Sequence, residues 1–168
     1  MKKLMFFIVI AMCGIAANAQ QYYDVTKFGA KKDSSTLATK SIAAAIAAAS
    51  KAGGGTVYFP AGKYLTGPIH LKSNITILID AGAELHFSDN FDHYLPMVES
   101  RYEGVDVFSF SPLFYAYKAE NIAIKGRGLI NGHGEKWWEY ALTFYKNQTA
   151  RNKYQLLFDN ANKNIVLP

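Results

Sequence analysis

The stretch with the clearest chemical potential runs from Gly126 to Trp138 and reads GRGLINGHGEKWW. It places His133 between two glycines, with the carboxylate of Glu135 close behind. A histidine beside a carboxylate can act as a general base in catalysis. Flanking glycines equally fit a tight turn in a repetitive β-structure, because glycine accepts backbone angles that other residues avoid. The local sequence leaves both interpretations open.

Paired carboxylates are the second candidate chemistry, because hydrolysis of a glycosidic bond usually needs one acid and one base or nucleophile. The closely spaced pairs are Asp89 with Asp92, Glu99 with Glu103, and Glu135 with Glu139. The first pair sits in a polar loop, where aspartate commonly serves turns. The third is predicted to lie on a short helix with two tryptophans between the acids. Such spacings are common by chance, so we interpret each pair as solvated surface.

Metal, cofactor and nucleotide chemistry have no matching pattern in the chain. The histidines are scattered without metal-ligand spacing at His70, His86, His93 and His133. Cys13 is the single cysteine, so internal disulfides and cysteine-rich metal sites are excluded. Neither a complete dinucleotide-binding glycine motif nor a phosphate-binding loop with its lysine occurs. We therefore predict no metal, no cofactor and no nucleic-acid partner.

The N-terminus has the three parts of a secretory signal peptide. Lys2-Lys3 is the positive start, residues 4–17 form an apolar run, and Ala17-Asn18-Ala19 is a cleavage site. We predict that residues 1–19 are removed and that residues 20–168 form the mature domain. That domain is expected to be secreted or periplasmic, with no membrane attachment after cleavage.

Two alternatives to simple secretion depend on the same apolar run. It is short for a membrane anchor. Lipid attachment at Cys13 is disfavoured because Met12 stands where that signal wants a small residue. The formal net charge is +5, and removal of Lys2-Lys3 leaves +3. Such a mildly basic surface suits an acidic polysaccharide but equally suits no particular ligand.

The first part of the mature chain predicts one amphipathic helix after a short strand at Tyr22–Val25. Residues 31–35 are polar and are predicted to form a loop. Thr39 is expected to cap the helix N-terminus, and Gly53 is expected to end the helix. The apolar positions at helical spacing are Ile42, Ala45, Ile46 and Ala49. This helix is predicted to cover a core.

From Gly55 onward the sequence consists of short β-branched runs broken by glycine, proline and asparagine. Strands are predicted at Thr56–Phe59, Tyr64–Leu65, Ile69–Leu71, Ile75–Ile79 and Glu84–Phe87. An asparagine followed by a β-type run recurs at Asn74, Asn121 and Asn164, which are 47 and 43 residues apart. This period, without a repeating helix, indicates an all-β solenoid of the parallel β-helix type. The repeated asparagines can turn the chain through the left-handed region and hydrogen-bond along the stack.

Two further features concern the boundaries of this solenoid. An aromatic, irregular segment from Ser88 to Lys118 interrupts the repeat, and such excursions often build a binding face. The alanine-rich helix is predicted to cap the first end of the stack. No second cap is recognised, and the sequence reaches Pro168 one predicted strand into a new coil, at residues 164–167. We therefore expect a truncated fragment of a longer protein.

Two stretches resemble known proteins. Residues 23–85, YDVTKFGA to GAEL, resemble the opening of the pectate-lyase-like right-handed β-helix superfamily. Residues 112–138, PLFYAYKAENIAIKGRGLINGHGEKWW, are similar to family 28 of the glycoside hydrolases, the polygalacturonase-like enzymes. The resemblance covers the chain from about Tyr22 onward and implies a right-handed parallel β-helix with an N-terminal capping α-helix.

The resemblance implies inverting, metal-independent hydrolysis of α-linked galacturonide in pectin. The catalytic aspartates of the family sit in N-T-D and D-D segments, which are followed by G-H-G and R-I-K. This sequence contains no N-T-D, D-D or R-I-K segment, so the catalytic aspartates are expected beyond Pro168. Gly132–Gly134 belongs to an earlier glycine-turn element of the family, so His133 is predicted to mark a turn between coils.

The same resemblance suggests one wall of a substrate groove on the irregular segment, with Arg101, Tyr102 and Glu103 as expected substrate contacts. Arginine suits bidentate capture of a galacturonate carboxylate, and a structural salt bridge in the loop is the alternative. The full-length protein is expected to be a monomer acting on pectic polysaccharide, whereas the fragment alone is expected to be inactive and to fold poorly or self-associate. A lyase-type or other β-helix enzyme and a non-catalytic glycan-binding β-helix remain alternatives.

Overall fold

The computed structural model describes residues 21–146 and 151–165, so the predicted signal peptide lies outside the described residues. The strands are β1 Tyr22–Asp24, β2 Asp33–Leu37, β3 Gly55–Phe59, β4 Gly62–Thr66, β5 Ile69–His70, β6 Ile75–Ile79, β7 Ala83–Phe87, β8 Val98–Tyr102, β9 Val105–Ser109, β10 Phe114–Tyr115, β11 Ala123–Gly126 and β12 Leu129–Asn131. The α-helices are α1 Thr39–Lys51, α2 Glu135–Lys146 and α3 Lys153–Ala161. Short 3₁₀ turns lie at Val25–Phe28 and Phe91–Tyr94.

The strands form a right-handed parallel β-helix, as predicted. The first sheet has the order β1-β3-β6-β11, the second β2-β4-β7-β12, and the third contains β5 and β10. Every pair within these three sheets is parallel. The two complete coils visit the three sheets in this order, and a residue lies directly above its counterpart in the preceding coil.

The core is built from inward-facing side chains at alternate strand positions. Along β6 and β7 the pattern alternates strictly between buried and partly exposed residues. Register places Ile77 beside Val57, and Leu85 beside Tyr64. All four side chains are fully buried. The β-branched runs of the sequence therefore become columns of stacked apolar side chains.

Helix α1 covers the first end of this stack. The predicted apolar face is confirmed, because Ile42, Ala45, Ile46 and Ala49 are all buried. The helix contacts β1, β3 and β5, and it ends at Lys51, just before Gly53 at a φ of 93°. The predicted capping role of Thr39 is wrong, because Thr39 is already helical and its hydroxyl accepts the Gly67 N–H at 2.6 Å.

The segment at residues 31–35 was predicted to be a loop, and its second half is instead part of β2. This strand pairs in parallel with β4, with a register irregularity between Asp33 and Leu37. The Asp33 carboxylate accepts the backbone N–H groups of Ser35 and Thr36. Those hydrogen bonds lower the pKa of Asp33. Polar composition misled the prediction because an outer edge strand can be polar throughout.

The predicted asparagine stack is confirmed for its first two members. Asn74 and Asn121 have φ values of 63° and 53°, in the left-handed region. The Asn121 side-chain amide donates to the Asn74 side-chain oxygen at 2.9 Å. Asn164 lies in a turn after α3 and Ile165 in a bend, and residues 166–168 of the predicted third strand lie outside the described residues.

Gly126 allows two coils to approach closely at the turn between the first and second sheets. Its φ is 123°, and a Cβ on it would overlap the carbonyl oxygen of Ile79 in the preceding coil. The next two residues use the same carbonyl, since the N–H groups of Arg127 and Gly128 both donate to it. The glycines of this turn therefore serve coil stacking.

Candidate functional site

Two long excursions leave the β-helix at the same corner. The first excursion, residues 88–113, follows β7, and the second excursion, residues 132–165, follows β12. Both strands are neighbours in the second sheet. Because coils stack in register, the excursions emerge beside one another. At this corner the coils are therefore connected by folded segments instead of tight turns.

The two excursions pack together through an aromatic cluster, which we define as Phe91, Phe110, Trp137, Tyr140 and Tyr154. The Phe91 ring lies centrally, with its centroid 4.2 Å from that of Trp137. The side-chain amide of Asn162 adds polar contacts, since it donates to the Phe108 carbonyl and accepts the Phe108 N–H. These contacts fix the position of the β8–β9 hairpin in the first excursion.

A groove of about 530 Å³ lies between this hairpin and the chain that follows β10. Its lining residues are Glu99, Ser100, Arg101, Asp106, Val107, Phe108, Tyr115, Ala116 and Tyr117. The size suits a small ligand or one to two sugar rings. The groove combines aromatic rings, one guanidinium group and two carboxylates, a mixture that can hold a sugar by its faces and polar edges.

The structure places the three predicted substrate residues on the tip of the hairpin. Arg101 lines the groove, and its guanidinium donates to the Gly104 carbonyl at 3.0 Å, which supports the hairpin. Tyr102 is half exposed, and Glu103 occupies the turn at a φ of 47°. Of the three, only Arg101 is a groove-lining residue.

Sequence analysis did not identify Tyr115 and Tyr117 as site residues. They flank Ala116 at and just beyond the end of β10, in the third sheet. Their alternate spacing at the end of a short strand could have identified them. That spacing was hard to recognise because the whole segment is rich in aromatic residues. The Lys118 ammonium lies 5.1 Å from the Tyr117 ring centroid and adds positive charge close to the groove.

A histidine on strand β5 lies beside Tyr115, which lines the groove. The His70 ring lies 5.0 Å from that of Tyr115, and its Nε2 is 3.0 Å from the Ser111 hydroxyl. Burial lowers the pKa of His70, which favours the neutral imidazole. Burial, and to a smaller extent Glu99, raises the pKa of Tyr115, so its hydroxyl stays protonated. Both groups are therefore uncharged near neutral pH, and His70 shares a hydrogen bond with Ser111.

The acids that sequence analysis paired take separate roles. Asp89 binds Lys136 and Asp92 binds Lys153, each at 2.6 Å, so both aspartates tie the first excursion to the second. Hydrogen bonds from these lysines lower the pKa of each aspartate. Glu135 and Glu139 lie on α2, as predicted, on either side of the exposed Trp138.

His133 adopts the turn conformation that was predicted for it. Its φ is 44°, and its N–H donates to the Asn131 side-chain oxygen just after β12. Its Nε2 lies 3.0 Å from Nδ1 of His86 in the preceding coil. Sequence analysis had not connected these two histidines.

Two general features of the described residues bear on function. Among residues 21–146 and 151–165, no group of three or more His, Cys, Asp or Glu side chains is arranged to hold a metal ion. In the same part of the chain, none of the helices is long and apolar enough to cross a membrane.

Comparison with known proteins points to carbohydrate-active β-helices. The exo-poly-alpha-D-galacturonosidase of Dickeya chrysanthemi is 36% identical over 121 residues, covering 67% of this chain and 20% of that protein. The mannuronan C5-epimerase AlgE1 of Azotobacter vinelandii is 36% identical over 123 residues, covering 66% of this chain and 9% of the epimerase. The chain spans about a quarter or less of the curated relatives it matches.

Solved structures give the same picture. The exopolygalacturonase of Thermotoga maritima superposes with a TM-score of 0.71 at 33% identity, covering 88% of this chain and 34% of that one. The resemblance to polygalacturonase-like proteins inferred from the sequence is therefore confirmed. A family model described as rhamnogalacturonase A/epimerase, pectate lyase-like, matches residues 22–165. The chain belongs to this rhamnogalacturonase A/epimerase, pectate lyase-like family.

Proposed function

We propose that the chain is the N-terminal part of a secreted, polygalacturonase-like glycoside hydrolase that acts on pectin. The observation that carries this proposal is the match of residues 22–165 to the family, together with the fold shared with an exopolygalacturonase. The predicted signal peptide at residues 1–19 supports export to the medium or the periplasm. The expected substrate is a pectic polysaccharide or oligosaccharide, and the expected full-length state is a monomer.

The groove beside the β8–β9 hairpin is proposed to contact substrate. Galacturonate presents a carboxylate and an apolar ring face. Arg101 suits the carboxylate because its planar guanidinium forms paired hydrogen bonds, and Tyr115 and Tyr117 suit the ring face. The predicted contacts of Tyr102 and Glu103 remain part of the proposal, as groups at the groove rim that reach a longer chain.

Bond cleavage is assigned to aspartates that this sequence does not carry. Inverting hydrolysis needs a carboxylic acid to protonate the leaving oxygen and a carboxylate to activate water on the opposite face. Asp89 and Asp92 are held by lysines that stabilise their charged forms, which is the wrong state for a proton donor. The described residues are thus proposed to bind and orient substrate.

A reducing-sugar assay of the full-length gene product on polygalacturonate and rhamnogalacturonan tests the activity. Release of reducing ends is expected, and no release from any galacturonide or rhamnogalacturonan would refute the proposal. Arg101→Ala is expected to raise KM about tenfold with little change in kcat, because it removes binding shared by ground state and transition state. Arg151→Ala is the matched control, because Arg151 binds Asp159 on α3.

A second candidate is a lyase- or epimerase-type enzyme of the same family. It is favoured by the similarity to a mannuronan C5-epimerase over 66% of the chain. Both chemistries act on uronates, so the Arg101 groove fits either. An unsaturated product that absorbs ultraviolet light, or epimerised uronate without chain cleavage, would favour this candidate over hydrolysis.

A further inference from the structure

The outer face of helix α2 carries an aromatic side chain that the proposed substrate groove does not use. Trp138 is 69% exposed, whereas the neighbouring Trp137 packs on Phe91 and Phe110 between the excursions. Among the large apolar side chains of the described residues, Trp138 is the most exposed. A single exposed apolar side chain is ordinary on a protein surface, so its surroundings decide whether it can bind a ligand.

Two glutamates surround the exposed indole. Helix α2 begins at Glu135, and the Trp138 N–H donates to the Gly134 carbonyl in the first turn. Residues three and four positions apart are neighbours on a helix surface, so Glu135 lies beside both Trp138 and Glu139. All four residues line one shallow depression of about 440 Å³. The depression therefore combines one aromatic ring with two carboxylates.

The two carboxylates have no cationic partner in the described part of the chain. Neither Glu135 nor Glu139 forms an ion pair with residues 21–146 or 151–165, and the intervening Lys136 binds Asp89 instead. A carboxylate only accepts hydrogen bonds, and each of its oxygens can accept more than one. The depression thus offers an apolar ring face, unused hydrogen-bond acceptors and negative charge.

The space beside Gly134 is open, because a Cβ on this residue would meet no atom within 4 Å. Gly134 also lines a second cavity, of about 500 Å³, with Asn131, His133 and Trp137 among its other lining residues. Two hollows of this size that meet at one glycine can hold more than one sugar ring.

We propose that Trp138, Glu135 and Glu139 form a binding surface for neutral sugar residues, separate from the groove beside Arg101. The apolar face of a sugar ring packs on an indole, and carboxylate oxygens accept hydrogen bonds from sugar hydroxyl groups. A galacturonate residue would bring its own carboxylate close to two like charges, which opposes its binding. The choice of a sugar over an organic cation rests on the proposed function, because an indole beside carboxylates suits both chemistries.

Fluorescence titration of the full-length protein tests this surface with a matched pair of ligands. The probes are an α-1,4-linked galacturonide tetramer and the same tetramer after chemical reduction of its carboxyl groups to hydroxymethyl groups. No tryptophan is among the described residues that line the Arg101 groove, so a response that disappears in Trp138→Phe reports on the α2 surface. The reduced tetramer should give a saturable response and bind about tenfold more tightly than the acidic one.

Calorimetry with the reduced tetramer measures what each side chain contributes. Trp138→Ala should lower the affinity by about tenfold or more, because it removes the stacking surface. The double variant Glu135→Gln/Glu139→Gln removes the repulsion, so at this surface the acidic tetramer should bind about as tightly as the reduced one. Tyr22→Ala is the matched control and should leave both affinities unchanged, because Tyr22 is an aromatic residue on β1 that is 58% exposed.

Either of two fluorescence results would overturn the proposal: no saturable response of Trp138 to the reduced tetramer, or an equally strong response to the acidic tetramer. A response to tetramethylammonium ion but not to the sugar would also overturn it and would assign the surface to organic cations. Release of reducing ends from polygalacturonate is measured separately, so failure of this surface to bind sugar is distinguishable from failure of the proposed hydrolase. Circular dichroism checks that each variant folds.

Discussion

The stacked coils and the two excursions are held together in different ways. In the coils, each inward residue packs on its counterpart one turn away, as Ile77 does on Val57. In the excursions, five aromatic rings and two lysine–aspartate pairs join segments that share no sheet. Repetition thus stabilises the scaffold, whereas individual side-chain contacts position the groove. We therefore predict that substitutions in the coils will lower the stability of the whole protein, whereas substitutions in the excursions will change mainly the geometry of the groove.

The largest expected effect comes from removing a core column. Ile77→Ala deletes a fully buried side chain between two coils and should destabilise the protein by about 2 to 5 kcal/mol. Ile77→Val keeps the β-branch and should cost roughly 0.5 to 1.5 kcal/mol. Urea unfolding followed by circular dichroism measures both. Equal losses in the two variants would show that the columns are not tightly packed.

Loss of the central ring of the excursions should have a local effect that leaves the coils folded. Phe91→Ala removes ring contacts with Trp137, Phe110, Tyr140 and Tyr154, each typically about 0.5 to 1.5 kcal/mol. Tryptophan fluorescence should report loosened excursions while the far-ultraviolet signal of the coils persists. Phe91→Leu, which retains apolar volume, should recover part of the packing. If Phe91→Ala instead causes the coils and the excursions to unfold together in one transition, the two regions are not independently stabilised.

The asparagine stack tests whether the turns of the scaffold depend on side-chain bonding. Asn121→Gly keeps the left-handed backbone accessible but removes the bond to Asn74, which should cost about 0.5 to 1.5 kcal/mol. Asn121→Ala adds backbone strain of roughly 1 to 2 kcal/mol. The difference between the two thermal midpoints measures that strain. If alanine proves no worse than glycine, the turn is not held in the left-handed region.

Acid should loosen the contacts between the two excursions, and this is the smallest of the expected effects. Hydrogen bonds from lysines lower the pKa of Asp89 and Asp92 in the folded state. The pairs therefore contribute stability above the ordinary carboxylate pKa of 3.8, and that contribution disappears as pH falls through the lower folded-state values. Tryptophan fluorescence between roughly pH 5 and 2 should follow the loss. The double variant Asp89→Asn/Asp92→Asn should flatten this response.

Sequence reasoning recovered the elements that depend on local periodicity. The face of α1, the strand at Ile75–Ile79 and the positive φ of Asn74 and Asn121 follow from spacing alone. The register between coils could also be predicted, because an asparagine recurs after 47 residues. These features repeat, so one coil constrains the next.

The contacts of the excursions could not be predicted from the sequence, because they join residues that are far apart in the chain and follow no repeat. The hairpin register that sets Arg101 opposite Asp106, and the pairing of Asp92 with Lys153 across 61 residues, depend on three-dimensional packing. The helix at Lys153–Ala161 was also missed, although Asn152 and Gln155 form a capping box that is a local signal for its start. The His86–His133 contact had a usable signal, since the two residues are 47 apart, like the asparagines.

The shared corner of the two excursions has a consequence for the exchange of parts between related proteins. The first excursion starts at β7 and ends at β10, whose positions the coil stack already fixes, so the chain between them can change length without shifting the register. The entropy of closing a longer loop rises only slowly with its length. Replacement of one excursion alone is limited by the other excursion, because Phe91 of the first packs against Trp137 of the second. Excursions transplanted at this corner should therefore be moved as a pair.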